Sequence, residues 1–417
     1  MKVAVALSGG VDSSVAAKIL KDEGHDLVGL FLKLWSDPTC DTERENRCCN
    51  YEALEDARKV AAQLNFPFYV INASDQFKRG VVDYFLDEYK NLRTPNPCIV
   101  CNEKIKFDLL LKKALAIGCD FLATGHYARI ASANPKSEIR MSKQKKSNPK
   151  SKCRNREVLN LENSNFDIVS NFEFSASNFS LLKGIDPAKD QSYMLYRLSQ
   201  NQLSKILFPL GGMKKSEVRK LATKWDLPVK EKPESQEICF FADKDYRAFL
   251  RRYLPARYFK PGEIVNRCGK VIGEHDGLLN YTIGQRKLVN QESGIVNQGD
   301  KKQLYVVKFD VGKNQLIVGE DRDVYKKEMI VGKLKWIKRK FSSSRELENT
   351  CRTRKIKVKI RYRHPEVTCR IASHPELAEG SSGVKVIFAK PQRAITPGQS
   401  AVFYCGDEVL GGGIIED

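Results

Sequence analysis

Two patterns of apolar and polar positions alternate over the first part of the chain. Short apolar runs, typical of buried strands, cover residues 2–7, 26–35, 66–71 and 119–130. Apolar residues repeat at helical spacing between them, at 14–24, 51–64, 75–91 and 103–118. We expect Asp12, Ser13 or Ser14 to cap the first helix. Strands that alternate with helices predict parallel βαβ units, and ligands bind beyond the carboxyl ends of such strands.

A polar segment interrupts this pattern at residues 131–180, which are rich in Ser, Asn and Lys. Residues 136–156 contain nine basic residues and one acidic residue, Glu138. A stretch of this composition inside a compact domain predicts an insertion or a disordered loop. Two roles suit it: a basic arm that contacts nucleic acid, or an insertion that the surface tolerates.

The second half of the chain changes from mixed to all-β character. Residues 216–228 predict an amphipathic helix capped by Ser216, and Cys239 falls in a predicted strand. From about residue 260, short strands separated by Gly and Asn predict an all-β region. Alternation at 355–362 predicts a half-buried strand, with Lys355, Lys357, Lys359 and Arg361 on one face and Ile356, Val358, Ile360 and Tyr362 on the other. The cationic face either contacts phosphates or protects an edge strand from aggregation.

Composition narrows the class of protein. The 417 residues include 71 Lys and Arg against 51 Asp and Glu, and the resulting net charge of +20 favours a polyanionic partner. No apolar run approaches the ~18 residues of a membrane span, and the apolar run in MKVAVALSGG is too short for a signal peptide. We therefore expect a cytoplasmic protein. The 12 cysteines are scattered, which argues against a disulfide scaffold, and Cys98 and Cys101 form a C-x-x-C pair.

The segment SGGVDSS at residues 8–14 is the strongest chemical signal. A glycine turn between a strand and a helix exposes backbone N–H groups, and the helix N-terminus adds the positive end of its dipole. Ser8, Ser13 and Ser14 add hydroxyl donors. The segment has neither the GK[ST] of a Walker loop nor the G-x-G-x-x-G spacing of a dinucleotide site, but it suits phosphate.

SGGVDSS resembles the PP-loop with which N-type ATP pyrophosphatases bind ATP. Further segments narrow the resemblance to bacterial tRNA-specific 2-thiouridylases: GLFLKLW, TPNPCIVCNEKIKF, TGHYAR, KDQSYMLYRL, SQEICF, GEHDGL, YTIGQRK, TPGQSAVFY and GGGII. The resemblance covers the chain apart from 131–180 and some C-terminal loops. It implies an α/β fold with a parallel-sheet PP-loop ATPase (Rossmann-like) domain at 1–243, a small central domain at 244–327 and an RNA-binding C-terminal β-barrel at 328–417.

The resemblance also implies a reaction and its partners. ATP with Mg²⁺ adenylates the C2 oxygen of the wobble uridine of tRNA, and a sulfur-donor protein supplies persulfide sulfur. The implied ATP-binding residues are Ala6, Leu7, Ser8, Gly9, Gly10, Val11, Asp12, Ser13, Leu32 and Gly125, with Leu32 where the family usually has methionine. The implied tRNA-binding residues are Asn96, Pro97, Cys98, His126, Lys189, Asp190, Gln191, Arg361, Tyr362 and Gln399. His126 has an alternative as a structural histidine, and Tyr362 falls on the apolar face of its predicted strand.

Three cysteines carry the implied sulfur chemistry. By the resemblance, Cys239 carries the persulfide, and Cys101 is the nucleophile that forms a disulfide with it. Cys101 lies just before a predicted helix, which favours its thiolate. Cys98 stands where the family usually has an acidic residue. An alternative follows, in which Cys98, Cys101 and Cys239 bind an iron–sulfur cluster, or zinc with a fourth ligand.

Two other functions fit parts of the sequence. A different PP-loop enzyme, an adenylating ligase or amidase acting on a small molecule, would need neither Cys101 and Cys239 nor a basic barrel. A non-catalytic RNA-binding protein would not need SGGVDSS. The combination of loop, cysteines and basic barrel favours the thiolation of tRNA.

Overall fold

The chain folds into two compact units. The first contains Met1–Gly80, Cys98–Ala242 and Asp407–Val409, and the second contains Val81–Pro97, Asp243–Gly406 and Leu410–Asp417. The computed structural model describes residues 1–38, 51–132, 179–234, 238–240, 245–286, 303–338, 355–373 and 383–416. The predicted polar insertion therefore lies outside the described residues, except for its two ends at 131–132 and 179–180.

A parallel sheet forms the centre of the first unit. The strands of this unit are β1 (Lys2–Ala6), β2 (Asp26–Lys33), β3 (Phe68–Asn72), β4 (Phe121–Ala123), β5 (Ala128–Ser132), β6 (Phe179–Lys183) and β7 (Ile206–Leu207). The sheet has the order β3-β2-β1-β4-β7, and its neighbours are all parallel. Strands β5 and β6 form a separate antiparallel pair, which Glu408 and Val409 extend. The βαβ pattern predicted from the sequence is confirmed.

Most of the helices lie between the strands of the first unit, and two belong to the second unit. The α-helices are α1 (Val11–Asp22), α2 (Tyr51–Gln63), α3 (Ser74–Phe77), α4 (Asp83–Lys90), α5 (Pro97–Val100), α6 (Leu111–Ala116), α7 (Gln200–Leu203), α8 (Lys215–Lys224) and α9 (Tyr246–Tyr253). π-Helical segments at Lys78–Val82 and Cys101–Leu110 join α3 to α4 and α5 to α6. Short 3-10 turns occur at Ser192–Leu195, Ala256–Phe259, Leu278–Asn280 and Asp321–Val324. Within the described ranges, no helix is long and apolar enough to cross a membrane.

Two predicted helix caps and one predicted strand in the first unit are wrong. Helix α1 has the extended residue Gly10 at its N-cap, and the Ser13 and Ser14 hydroxyls donate back to the Gly10 carbonyl instead of capping the helix. Helix α8 does not use Ser216 as its cap, because the Glu217 carboxylate accepts the backbone N–H of Lys214 at 2.7 Å and starts the helix earlier. Cys239 lies in a turn and not in a strand.

The core of the first unit joins β1 to the helices around it. Val3 and Val5 of β1 are buried together with Val15 of α1, Val60 of α2 and Val218 of α8. Burying one such side chain contributes about 1.5–3 kcal/mol. This packing holds β1 and α1 in place, and so determines where the loop between them lies.

The second unit contains a small sheet and a closed barrel. Strands β8 (Gly262–Asn266), β9 (Val271–His275), β10 (Tyr305–Asp310) and β11 (Gln315–Gly319) pair in the order β10-β11-β8-β9. The barrel strands are β12 (Tyr325–Trp336), β13 (Ile356–Lys359), β14 (Val367–Ser373), β15 (Val384–Arg393), β16 (Ser400–Cys405) and β17 (Glu408–Ile415), in the order β12-β15-β14-β13-β16-β17. Pairing of β12 with β17 closes the barrel. The predicted fold class is confirmed.

The alternation predicted around β13 is correct for its centre and wrong for its end. Ile356, Val358 and Ile360 are buried, whereas Lys357 and Lys359 are not. The strand ends at Lys359, and Arg361 and Tyr362 lie in the following turn. That turn forms because the His364 N–H donates to the Arg361 carbonyl at 3.1 Å. Pro365 follows, and proline has no N–H to continue a ladder.

Candidate active site

The loop between β1 and α1 makes its sharp turn at Gly9. Gly9 has a φ of +68°, in the left-handed region that favours glycine. A Cβ atom at this position would lie 2.2 Å from the carbonyl oxygen of Ala53, near the start of α2. The backbone conformation and the close approach to α2 therefore both require glycine.

Serine hydroxyls support the loop from within. The Ser8 N–H donates to Ser13 Oγ at 3.2 Å, and Ser13 Oγ donates to the Gly10 carbonyl at 3.1 Å. Ser14 Oγ donates to the same carbonyl at 2.9 Å. Among the described residues, no side chain caps α1. The N–H groups of its first turn and the positive end of its dipole therefore point toward a ligand that binds at the loop. This arrangement is suited to binding a phosphate group.

Asp12, in the first turn of α1, meets two donors from distant parts of the chain. Its Oδ1 accepts the Tyr127 hydroxyl at 2.7 Å and the Lys215 ammonium at 2.6 Å. Burial and the Asp12 carboxylate raise the pKa of Tyr127, so this hydroxyl remains protonated and donates. Gly125 packs against the same turn, because a Cβ atom there would lie 2.8 Å from the Ser13 nitrogen. The two predicted ATP-site segments, SGGVDSS and TGH, are therefore in direct contact.

An ion-pair chain continues from Asp12. Lys215 Nζ lies 3.4 Å from Glu234 Oε1, and Glu234 Oε2 accepts a hydrogen bond from Lys189. The hydrogen bond from Lys189, followed by the charge of Lys215, holds the pKa of Glu234 below its usual value. Two carboxylates and two ammonium groups thus alternate beside the loop.

The KDQ segment at residues 189–191 makes contacts within the first unit. Asp190 is buried, and its carboxylate accepts the N–H groups of Gly184 and Ser192 at 3.0 and 3.1 Å and the Ser192 hydroxyl at 2.9 Å. Gln191 Oε1 accepts the Tyr127 N–H at 2.9 Å, and the Gln191 N–H donates to the Tyr127 carbonyl. These bonds hold Tyr127 toward Asp12. Contacts of the segment with tRNA stay predictions.

His126 lies inside the first unit. It is 9% exposed, and its Nδ1 lies 2.7 Å from Thr124 Oγ1. Its ring packs against Phe107 and Phe208, with centroids 5.5 and 5.9 Å apart. Burial, with Lys106 as a smaller cause, holds the pKa of His126 well below its usual value, and the ring is neutral. This geometry is that of a structural histidine, and the RNA contact stays a prediction.

The remaining predicted ATP-site residues flank the loop. Ala6 ends β1, and Leu7 continues it through a hydrogen bond from its N–H to the Leu30 carbonyl at 2.8 Å. Leu32 lies on the neighbouring strand β2, opposite Ile71, and is partly exposed. Val11, the first residue of α1, is buried. Ala6, Leu7 and Val11 thus adjoin the loop along the chain, and Leu32 lies on the strand beside β1.

The three candidate cysteines belong to the first unit. Cys98 lies in α5 and is partly exposed, whereas Cys101 begins the π-helical segment and is 7% exposed. The prediction that Cys101 lies just before a helix is wrong, because the helical run already begins at Pro97. Cys239 is partly exposed, and its neighbour Phe240 packs on Phe77 of α3 with ring centroids 5.8 Å apart. Helix α3 also contacts the segment that Cys101 begins. Both sulfur-bearing segments therefore border α3.

The other predicted tRNA-binding residues belong to the second unit. Asn96 is partly exposed and Pro97 is buried. The Gln399 amide donates to the carbonyls of Thr94 and Pro95 at 2.8 and 3.4 Å, just before Asn96. Arg361 donates to the Arg393 carbonyl at 3.2 Å, and Lys359 Nζ lies 6.0 Å from the centroid of the Tyr362 ring. Gln399 thus holds the segment that carries Asn96.

Sequence reasoning missed Tyr127, Lys215 and Glu234. For Lys215 a signal existed, because it shares a helical face with Val218 and Ala222, both buried. A lysine on the apolar face of a helix indicates a buried ionic partner. Tyr127 and Glu234 carried no comparable local signal, since their contacts come from residues far along the chain.

Family models and known proteins match this chain along its length. A family model described as "tRNA methyl transferase HUP domain" matches residues 1–151 and 168–243, a "tRNA methyl transferase PRC-barrel domain" model matches 247–320, and an "Aminomethyltransferase beta-barrel domain" model matches 326–415. The chain is 41% identical to the tRNA-specific 2-thiouridylase MnmA of Geobacter metallireducens, over 100% of this chain and 96% of that protein. It is 40% identical to MnmA of Clostridium acetobutylicum (100% and 99% covered) and 42% identical to MnmA 1 of Caldanaerobacter subterraneus subsp. tengcongensis (100% and 98% covered).

These relatives match over the full length of the chain. In the structure, the glycine loop and the cysteine segments of this chain lie in one folded unit. The chain belongs to the tRNA-specific 2-thiouridylase (MnmA) family.

Proposed function

We propose that this chain is a tRNA 2-thiouridylase. It adenylates the C2 oxygen of the wobble uridine with ATP, and then replaces that oxygen with sulfur carried by Cys239. The observation that carries the proposal is the joint presence, in one compact unit, of the glycine loop with Asp12 and of two cysteine segments that border α3. Relatives named tRNA-specific 2-thiouridylase support the choice of substrate.

The first step activates the base. The C2 oxygen of uridine attacks the α-phosphorus of ATP, the oxygen–phosphorus bond forms, and the bond to the β-phosphate breaks to release pyrophosphate. The first-turn N–H groups of α1 and the positive end of its dipole bind the phosphates. Mg²⁺ usually keeps several waters and few protein ligands, and Asp12 is the loop carboxylate that would hold it beside the phosphates.

The second step transfers sulfur. The terminal sulfur of a Cys239 persulfide attacks C2, and AMP leaves with the original oxygen. The Cys101 thiolate then attacks the Cys239 sulfur, so that the sulfur–sulfur bond breaks and the thiolated base is released. A disulfide between Cys101 and Cys239 remains, and a dithiol reductant restores both thiols. Partial exposure of Cys239 in its turn suits the approach of a persulfide donor protein.

Cluster chemistry is the alternative role of Cys98, Cys101 and Cys239. Among the residues that the structure describes, no three His, Cys, Asp or Glu side chains form a group that could hold a metal ion. As positioned, the three cysteines do not fit a cluster or a zinc site. The persulfide route needs only the pair Cys101 and Cys239, and Cys98, three residues before Cys101, is the third thiol of the proposal.

Binding of tRNA is proposed for both units. The net charge of +20 favours a polyanion, and β13 presents Lys357 and Lys359 away from the barrel core. Asn96, Pro97, Cys98, His126, Lys189, Asp190, Gln191, Arg361, Tyr362 and Gln399 are the proposed tRNA residues. Because tRNA is used in the cytoplasm, we propose that compartment for the enzyme.

The test is thiolation of unmodified tRNA by the full chain, with ATP, Mg²⁺ and a protein persulfide donor, followed by mass spectrometry of nucleosides. We expect 2-thiouridine only when all components are present. Cys239→Ser and Asp12→Ala abolish the product while tRNA binding persists. Cys268→Ser is the matched control, because Cys268 is exposed in a turn of the second unit. Thiolation at the normal rate by either active-site variant contradicts the proposal.

The same reaction separates the alternatives. Pyrophosphate release that does not depend on tRNA would indicate an enzyme acting on a small molecule. A tRNA complex without ATP consumption would indicate a binding protein, and methylation of tRNA by S-adenosylmethionine would overturn the assignment. Iron and sulfide analysis after anaerobic purification tests the cluster, and a Cys101–Cys239 disulfide after turnover supports the persulfide route.

A further inference from the structure

A buried lysine beside the glycine loop has no part in the steps described above. Lys215 is 8% exposed and lies on the face of α8 that also carries Val218 and Ala222. Lysine is almost never so buried without ionic partners, because removing an ammonium group from water is costly. The position therefore needs a reason beyond packing.

Lys215 lies near two carboxylates, one of them closer than the other. Its Nζ lies 2.6 Å from Asp12 Oδ1 but 3.4 Å from Glu234 Oε1. Glu234 also has a second cationic partner, because Lys189 binds its other carboxylate oxygen, so Glu234 remains paired when Lys215 takes another anion. An ammonium group has three N–H donors, and the described carboxylates account for two. The Glu234 contact is thus the one that a stronger anion would replace.

We propose that Lys215 binds a phosphate group of ATP, and that this phosphate takes the place of Glu234 as the partner of Lys215. The inference rests on the proposed function only in taking ATP as the ligand. Lys215 already contacts the first turn of α1 through Asp12, and that turn supplies the phosphate-binding N–H groups. A polyphosphate carries more negative charge than one carboxylate and offers more acceptor oxygens, so it wins the competition.

A purely structural lysine would behave differently. If Lys215 only held Asp12 in place, its loss would disturb the loop and weaken every ligand of the site, including adenosine. A phosphate-binding lysine affects only ligands that carry the contacted phosphate. Adenosine, AMP, ADP and ATP therefore separate the two roles.

The experiment measures binding of these four ligands to the full chain by calorimetry, with Mg²⁺ present. Lys215→Met weakens ATP about ten- to a hundredfold, the usual value of a hydrogen bond to a charged group, and leaves adenosine unchanged. Lys215→Arg retains part of the affinity, because it keeps the positive charge. Lys220→Met, an exposed lysine of the same helix, binds all four ligands like the wild type. Equal weakening of adenosine and ATP by Lys215→Met overturns the inference.

A second variant keeps the test informative if Lys215→Met unfolds. Glu234→Gln removes the competing charge, so ATP binding becomes stronger by up to about fivefold, the value of a partly exposed ion pair. If Glu234 instead positioned Lys215 for the nucleotide, the same variant would weaken ATP. Weaker ATP binding by Glu234→Gln therefore contradicts the displacement.

Failure of this inference is distinguishable from failure of the proposed function. A wild-type chain that binds ATP through Lys215 but never thiolates tRNA retains the inference and loses the function. A chain that thiolates tRNA while Lys215→Met binds ATP normally retains the function and loses the inference.

Discussion

Replacing Gly9 by alanine tests the argument that the loop path depends on its close approach to α2. Two separate penalties apply at this position. The φ of +68° costs a residue with a Cβ about 1–2 kcal/mol. The new Cβ would lie 2.2 Å from the Ala53 carbonyl, about 1 Å short of ordinary contact, and such overpacking costs about 1–3 kcal/mol more.

Gly24 is the matched control, because it isolates the first penalty. Its φ is +81°, but a Cβ there would meet nothing within 4 Å. Gly24→Ala therefore costs about 1–2 kcal/mol through the backbone alone, at the end of α1 and away from the loop. Gly10→Ala avoids both penalties. Gly10 is extended, and the atom nearest to its new Cβ would be Ser8 Oγ at 3.5 Å, an ordinary van der Waals distance.

The assays are the thermal unfolding midpoint and the dissociation constant for ATP. We expect the unfolding midpoint to fall most for Gly9→Ala. Only this variant loses ATP binding, because the clash with Ala53 displaces the loop that binds phosphate together with the start of α1. Gly24→Ala lowers the midpoint and keeps the wild-type affinity. Equal effects of the two variants on both measurements would refute the reasoning, because they would show that the contact with Ala53 plays no part.

Three further predictions concern stability and tRNA binding. Burial lowers the pKa of His126 in the folded state, so the unfolded chain binds one more proton, and the stability falls as the pH drops through about 6.5. His126→Phe therefore makes the thermal midpoint less dependent on pH over this range. An unchanged pH profile would contradict this prediction. Asp190→Ala removes the acceptor of the buried Gly184 and Ser192 N–H groups and costs about 1–3 kcal/mol, which lowers the thermal midpoint. Loss of tRNA affinity without loss of stability would instead show a direct RNA contact. Lys357→Ala reduces the slope of log affinity for tRNA against log salt concentration by about 1, because one phosphate contact is lost. The control Lys308→Ala, on β10, leaves the slope unchanged. Equal slopes for both variants and the wild type would show that β13 does not contact tRNA.

The sequence determined the features that depend on neighbouring residues. Alternation of apolar runs with helical periodicity predicted the parallel sheet, and the position of SGGVDSS after the first apolar run placed the loop at the carboxyl end of β1. Strict alternation in KIKVKI predicted which residues of β13 are buried. These predictions succeed because strand and helix periodicity, and the glycine turn, are properties of short segments.

Only the tertiary structure decided the features that join distant segments. Asp12 meets Lys215, which follows it by 203 residues, and Tyr127, which follows it by 115, and no local pattern predicts either contact. The Gly10 cap, the turn at Cys239 and the end of β13 before Arg361 likewise depend on hydrogen bonds and packing that compete with local propensity. A buried charge is stable only where folding supplies its partner, and for this reason the charged network beside the loop became visible only in three dimensions.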